Sequence, residues 1–170
     1  MNNLDCSNPE TICFIGVGSN LNNPIRQIKN ALGALSNHSK IKLLKTSSFY
    51  KSKALEFSNQ PDYINCVISI ETELTPYDLL SSLQEIEKKQ GRVRKKKWGS
   101  RTIDLDILLY GDVKVSDQEL TIPHPEIYKR HFVVYPLAEI SNNLIFPDNL
   151  HINQIISKCP INELKKIDDI

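Results

Sequence analysis

The chain has 170 residues, 40% of them hydrophobic and 24% charged, with a formal net charge of +1. That length allows one domain with a real core, and the near-neutral balance excludes a global electrostatic pull toward nucleic acid or a membrane surface. Cys6, Cys13, Cys66 and Cys159 lie far apart without a C-x-x-C pair, and no stretch reads as a signal peptide or membrane span; free thiols and a cytoplasmic location are expected.

In chain order, residues 1–10 read as a disordered tail ahead of a single domain over 11–170. "TICFIGVG" (11–18) is a continuous apolar strand in which Gly16 and Gly18 mark close backbone. Its G-x-G is read as a structural turn before the next helix, since no Walker motif is present. "NNPIRQIKNALGAL" (22–35) predicts a helix with Asn23 as N-cap, Pro24 at the first position and Ile25, Ile28, Leu32 and Leu35 on one face. "IKLLKTSSFY" (41–50) reads as one strand and 51–62 as a loop. "YINCVISIET" (63–72) alternates, with Ile64, Cys66, Ile68 and Ile70 on one face and Tyr63, Asn65 and Ser69 on the other. "TPYDLLSSLQEIEKKQG" (75–91) predicts a second helix, capped by Thr75 and ended by Gly91.

The order strand, helix, strand, strand, helix, strand is that of an α+β, ferredoxin-like βαββαβ sandwich. Its helices should cover one face of an antiparallel sheet and leave the other open for a ligand. Residues 113–170 should add a hairpin and short helical pieces broken by Pro123, Pro125, Pro136, Pro147 and Pro160.

The chemistry concentrates after the second helix. "RTIDLDILLYGD" (101–112) is β-prone and ends at a Gly111-Asp112 turn. Asp104 and Asp106, two apart, must share a strand face, opposite Ile103, Leu105 and Ile107. Two close carboxylates repel unless they share a proton or a cation. The loop before them, "GRVRKKKWGSR" (91–101), is basic with no acid. Carboxylates for a metal beside guanidiniums for phosphate suit a magnesium–polyphosphate complex, with the cation arriving with the substrate. Tyr63 and Asn65, on one strand face, suit a flat heterocycle that stacks and hydrogen-bonds. His124, between two prolines, could be structural.

Five ordered blocks, "FIGVGSNL", "SSFY", "QPDYINCV", "GRVR…WGSRTIDLDILLYG" and "IPHP…R.F…PL.EI", together resemble the 6-hydroxymethyl-7,8-dihydropterin pyrophosphokinase family of folate biosynthesis. The resemblance implies transfer of a pyrophosphoryl group from ATP to the pterin hydroxymethyl, leaving AMP. By position, it implies that Asp104 and Asp106 ligate two Mg²⁺ ions and that Arg92 and Arg101 neutralise charge from a mobile catalytic loop. Trp98 would close over the pterin. Tyr63 and Phe132 would sandwich it, Asn65 would hold it, and backbone around Ser52 and Leu55 would read its edge. Gln84, Glu87, Arg94, His124 and Arg130 would contact the nucleotide. ATP and the pterin are the expected partners of a monomer, with no nucleic acid or membrane. The alternative is an RNA-binding ferredoxin-like module; against it, the RNP1 pattern is missing and a D-x-D on the sheet would repel phosphates without metal.

Overall fold

A computed structural model describes residues 9–54, 59–92 and 100–167. Strand β1 (Thr11–Ser19) leads to helix α1 (Pro24–Ser36), strands β2 (Ile41–Thr46), β3 (Phe49–Ser52) and β4 (Tyr63–Thr72), then helix α2 (Pro76–Lys89) and strand β5 (Asp104–Tyr110). A small hairpin, β6 (Val115–Ser116) and β7 (Thr121–Ile122), precedes helices α3 (His131–Ile140) and α4 (Ile152–Ile156) and strand β8 (Lys165–Ile167). The main sheet runs β5-β1-β4-β3-β8, with β2 also on β4, and the pairings are antiparallel. The architecture is mixed α/β, one antiparallel sheet with helices on both faces.

The local signals for the helices hold. The Asn23 side chain accepts the Arg26 N–H at the start of α1, and Asn23 itself sits at φ 62°, a left-handed conformation that asparagine tolerates. Thr75 caps α2 by accepting the Asp78 N–H, and Gly91 takes φ 76° just past its end. Ile28, Ala31 and Leu35 of α1 and Leu79, Leu83 and Ile86 of α2 bury against Ile15, Ile64, Ile68 and Ile70. Each such Leu or Ile side chain contributes about 1.5–3 kcal/mol when removed from water.

Four expectations are corrected. The apolar run 41–50 is two strands, because the Ser47 hydroxyl accepts the Val67 N–H while its own N–H binds the Val67 carbonyl, breaking the ladder between β2 and β3. The strand β3 then runs on through Lys51 and Ser52, so the loop begins only afterwards. The second sheet face is not open along its length. Val67, Leu108, Val134, Leu137, Phe146 and Ile152 form a second apolar cluster there, under α3 and α4. Pro136 lies inside α3 rather than breaking it. The 1–10 tail falls, but for Pro9 and Glu10, outside the described residues. Among those described, no helix is long and apolar enough to cross a membrane.

Candidate active site

The uncovered end of the α3 face is a cleft with about 870 Å³ of empty space, part of it open solvent. Its position follows from strand register. Asp104 pairs with Gly18, and Gly18 pairs with Asn65; one step along, Asp106 pairs with Gly16 and Gly16 with Val67. Directly paired residues project to the same face. The glycines therefore leave a gap between the aspartates and β4 where side chains would otherwise stand, and Gly16 and Gly18 line the cleft. The G-x-G is thus a mid-strand floor, not the turn expected from the sequence.

The pocket amide is held in a defined orientation. Asn65 Nδ2 donates to Ser52 Oγ at 2.8 Å, and both residues are buried. A Cβ on Gly18 would lie 2.8 Å from Asn65 Oδ1. Gly18→Ala should therefore swing the amide away; on the expectation that Asn65 holds the flat substrate, it should raise that substrate's KM about tenfold, the loss of roughly one hydrogen bond, with KM for nucleotide unchanged. Steady-state kinetics in both substrates check it; equal KM values would show that the amide can turn without cost.

The aspartates are not equivalent. Arg101 donates to Asp104 Oδ2, Arg92 donates to Glu87 Oε1, and Arg92 Nη1 lies 2.7 Å from Asp104 Oδ1. Glu87 Oε1 also accepts the Leu105 N–H at 2.8 Å. Asp104 therefore already has protein cations, which corrects the expectation that the acidic pair waits without one. The Arg92 contact is an ion pair not aligned as a hydrogen bond, so the buried Oδ1 of Asp104 has no hydrogen-bond partner. Asp106 faces His124, whose Nε2 lies 3.8 Å away. The side chain of Asp106 is 40% exposed to the cleft, though protein crowds it on its other sides. Burial first, and the Asp104 carboxylate second, push its pKa up to about 7 against the opposing pull of Arg101 and Arg130. His124 is driven the other way, to about 4, by burial and then by Arg130. Its Nδ1 accepts the Glu126 N–H at 3.1 Å, so the neutral ring carries its proton on Nε2, toward Asp106.

Ser52, Tyr63, Asn65, Arg101, Asp104, Asp106, Arg130 and Phe132 all line the one cleft. The first turn of α3 delivers Phe132, with the Arg130 guanidinium 5.8 Å from its ring centre. Arg92 and Glu87 lie behind Asp104, bound to it and to β5. Gln84 is exposed on α2, one turn before Glu87, and is not among the cleft-lining residues. Leu55, Arg94 and Trp98 lie outside the described residues, as does the rest of 93–99, the expected mobile loop. Lys53 and Gln60 also line the cleft. They had no pattern in the sequence to mark them, whereas Gly16 and Gly18 could have been found by asking what faces a D-x-D across a strand pair.

The donor set suits a magnesium–nucleotide complex. Two carboxylates offer hard oxygens, one of them without a hydrogen bond. Among the described residues, no group of three or more His, Cys, Asp or Glu could hold a metal alone; Mg²⁺ usually takes one or two carboxylates and completes its shell with water and phosphate. Fold and site together define a class: an antiparallel α/β protein equipped to handle a polyphosphate beside a flat heterocycle.

Comparison with known proteins narrows the class. The family model for 7,8-dihydro-6-hydroxymethylpterin-pyrophosphokinase (HPPK) matches residues 14–142. A curated 2-amino-4-hydroxy-6-hydroxymethyldihydropteridine pyrophosphokinase of Haemophilus influenzae is 48% identical over 91% of this chain and 96% of its own length. Those of Pseudomonas aeruginosa and Bacillus subtilis are 40% and 38% identical, over 91% and 76% of this chain and 95% and 77% of theirs. The wild-type HPPK-DHPS of Plasmodium falciparum solved with pteroate shares the fold, with a TM-score of 0.70 at 14% identity. That match covers 89% of this chain and 42% of the longer one, so this chain spans less than half of that protein. The chain belongs to the 7,8-dihydro-6-hydroxymethylpterin-pyrophosphokinase family.

Proposed function

We propose that this chain transfers the pyrophosphoryl group of ATP to 6-hydroxymethyl-7,8-dihydropterin in folate biosynthesis, and that it does so in the cleft between β5, β4 and α3. The observation that carries the site is the meeting of Asp104, Asp106 and Arg101 with Tyr63, Asn65 and Phe132 in one space. Family membership disfavours the RNA-binding alternative. The framework β1-α1-β2-β4-α2-β5, with sheet order β5-β1-β4-β2, supports reading it as a ferredoxin-like βαββαβ core to which β3, the hairpin, α3, α4 and β8 are added.

Tyr63 and Phe132 hold the pterin ring between them, and Asn65, fixed through Ser52, presents Oδ1 to the ring's N–H edge. Asp104 and Asp106 would hold the two Mg²⁺ ions that accompany ATP, and the ions would supply neutralisation of phosphate charge. The pterin hydroxyl oxygen forms a bond to the β-phosphorus as the bond from that phosphorus to the oxygen bridging the α- and β-phosphates breaks; AMP leaves with that oxygen, and the hydroxyl proton passes to solvent. No covalent enzyme intermediate is required; positioning and charge stabilisation supply the rate. Arg101 and Arg92, paired with Asp104 in the ligand-free protein, are placed to turn toward phosphate oxygens. Arg130 and the Nε2–H of His124 are placed to donate to phosphate beside Asp106, and Glu87 keeps Arg92 at hand. A soluble cytoplasmic monomer fits this reading.

Incubation with ATP, Mg²⁺ and the pterin should release AMP and pterin diphosphate in equal amounts, with no AMP when the pterin is omitted. ADP as the product would overturn the reading. Phe132→Ala should weaken pterin binding by about 1–3 kcal/mol through lost stacking and burial, with ATP affinity nearly unchanged in calorimetry. A comparable loss for ATP would move Phe132 to the nucleotide site.

A further inference from the structure

Asn20, just past the end of β1, is 3% exposed and is absent from the lining of the cleft. A buried amide needs partners for its carbonyl and its NH₂, and the partners here come from two different segments. Its Oδ1 accepts the Arg101 N–H at 2.8 Å, and its backbone N–H donates to the Arg101 carbonyl at 3.1 Å. Arg101 is thus gripped on both sides of its Cα. The neighbouring Ser19 hydroxyl extends the grip by donating to the Thr102 carbonyl at 2.5 Å. On its other side, Asn20 Nδ2 donates to the Pro61 carbonyl at 3.2 Å, with Gln60 Oε1 at 3.5 Å. Gln60 lines the cleft, and Pro61 is two residues before Tyr63.

We infer that Asn20 is a positioning residue that couples the pterin pocket to Arg101, one amide fixing both the segment entering β4 and the backbone of the phosphate-facing arginine. The inference rests on the site reading above. A residue bonded to both segments transmits order between them: fixing 59–62 against a bound pterin holds the amide, and the held amide fixes Arg101 over Asp104. Coupling of this kind is reciprocal, so nucleotide held near Arg101 must favour pterin by the same factor.

The test compares Asn20→Ala, which loses both sets of bonds, with Asn20→Asp, which keeps an oxygen for the Arg101 N–H but replaces the donor that reaches Pro61. Asn20→Asp should raise the pterin KM about tenfold with kcat within about twofold of wild type, while Asn20→Ala should also lower kcat about tenfold. In calorimetry, the gain in pterin affinity on adding a non-hydrolysable ATP analogue with Mg²⁺ should shrink toward none in both. A merely structural role would lower the melting temperature and leave this gain, and the KM-against-kcat split, unmoved. If Asn20→Ala does not fold, Asn20→Asp decides on the same readouts. Wild-type pterin KM and unchanged coupling in a folded variant overturn the inference. Arg101→Ala with full kcat would instead overturn the site reading on which it rests.

Discussion

Asp106→Asn should abolish turnover and at the same time stabilise the ligand-free protein above neutral pH. Turnover goes because an amide cannot replace a carboxylate as a ligand for a hard cation, a loss of about 10²–10³-fold or more by analogy with removal of other transition-state charge stabilisers. Stability rises because the folded protein raises the pKa of this group to about 7, by burial and then by Asp104, whereas the unfolded chain leaves it near the ordinary value of about 4. A raised pKa means that the native state holds the proton more tightly. Relative stability is full below about pH 4, falls as pH climbs from about 4 to about 7, and stays reduced above that. The full shift would be about 4 kcal/mol, but with 40% of the side chain open to the cleft solvent screening leaves about 1–2 kcal/mol. Melting curves of Asp106→Asn and wild type should therefore coincide near pH 4 and separate by a few degrees at pH 8, the variant being higher. Coincidence at both pH values would mean that the carboxylate is ionised without penalty. Asp104→Ala should behave oppositely. Asp104 receives Arg101 and sits 2.7 Å from Arg92, so its removal leaves charge uncompensated and should destabilise by about 1–3 kcal/mol. The two aspartates should therefore differ in structural cost although both are needed for turnover.

Arg101→Ala should lower kcat by about 10²–10³-fold, or about 3–4 kcal/mol, with little change in the KM for ATP. Its guanidinium is bound to Asp104 at rest, so its phosphate contact is made at the expense of that pair and is strongest where charge peaks, in the transition state. An effect confined to KM would make it a ground-state anchor. Arg92→Ala should share the loss of kcat and add a stability loss. Glu87 is 3% exposed overall and would lose the Arg92 guanidinium while still accepting the Leu105 N–H, which weakens the compensation of a buried carboxylate. The pair of variants separates kinetics from folding: unfolding midpoints should fall further for Arg92→Ala, which takes a guanidinium from both Glu87 and Asp104, than for Arg101→Ala, which leaves Arg92 beside Asp104.

Much of the molecule follows from sequence alone because its signals are local. The caps Asn23-Pro24 and Thr75-Pro76, the Gly91 stop and the alternation along β4 each act within a few residues, and the elements form where they say. The two-residue spacing of Asp104 and Asp106 dictates a shared face whatever surrounds them. Register, which depends on the whole sheet, was decided elsewhere. Only tertiary structure set Gly16 and Gly18 opposite the aspartates, split 41–50 through the Ser47–Val67 bonds, and laid α3 and α4 over a face that the alternation alone left open. It also paired Asp104 with Arg92, twelve residues away, across a segment whose length says nothing of where its ends meet. The sequence determined which groups the chain can bring to a phosphate. The sheet register and the α3 layer decided which of the two carboxylates is already neutralised and which is held near its protonated form, because both depend on burial and on charges brought in from distant parts of the chain.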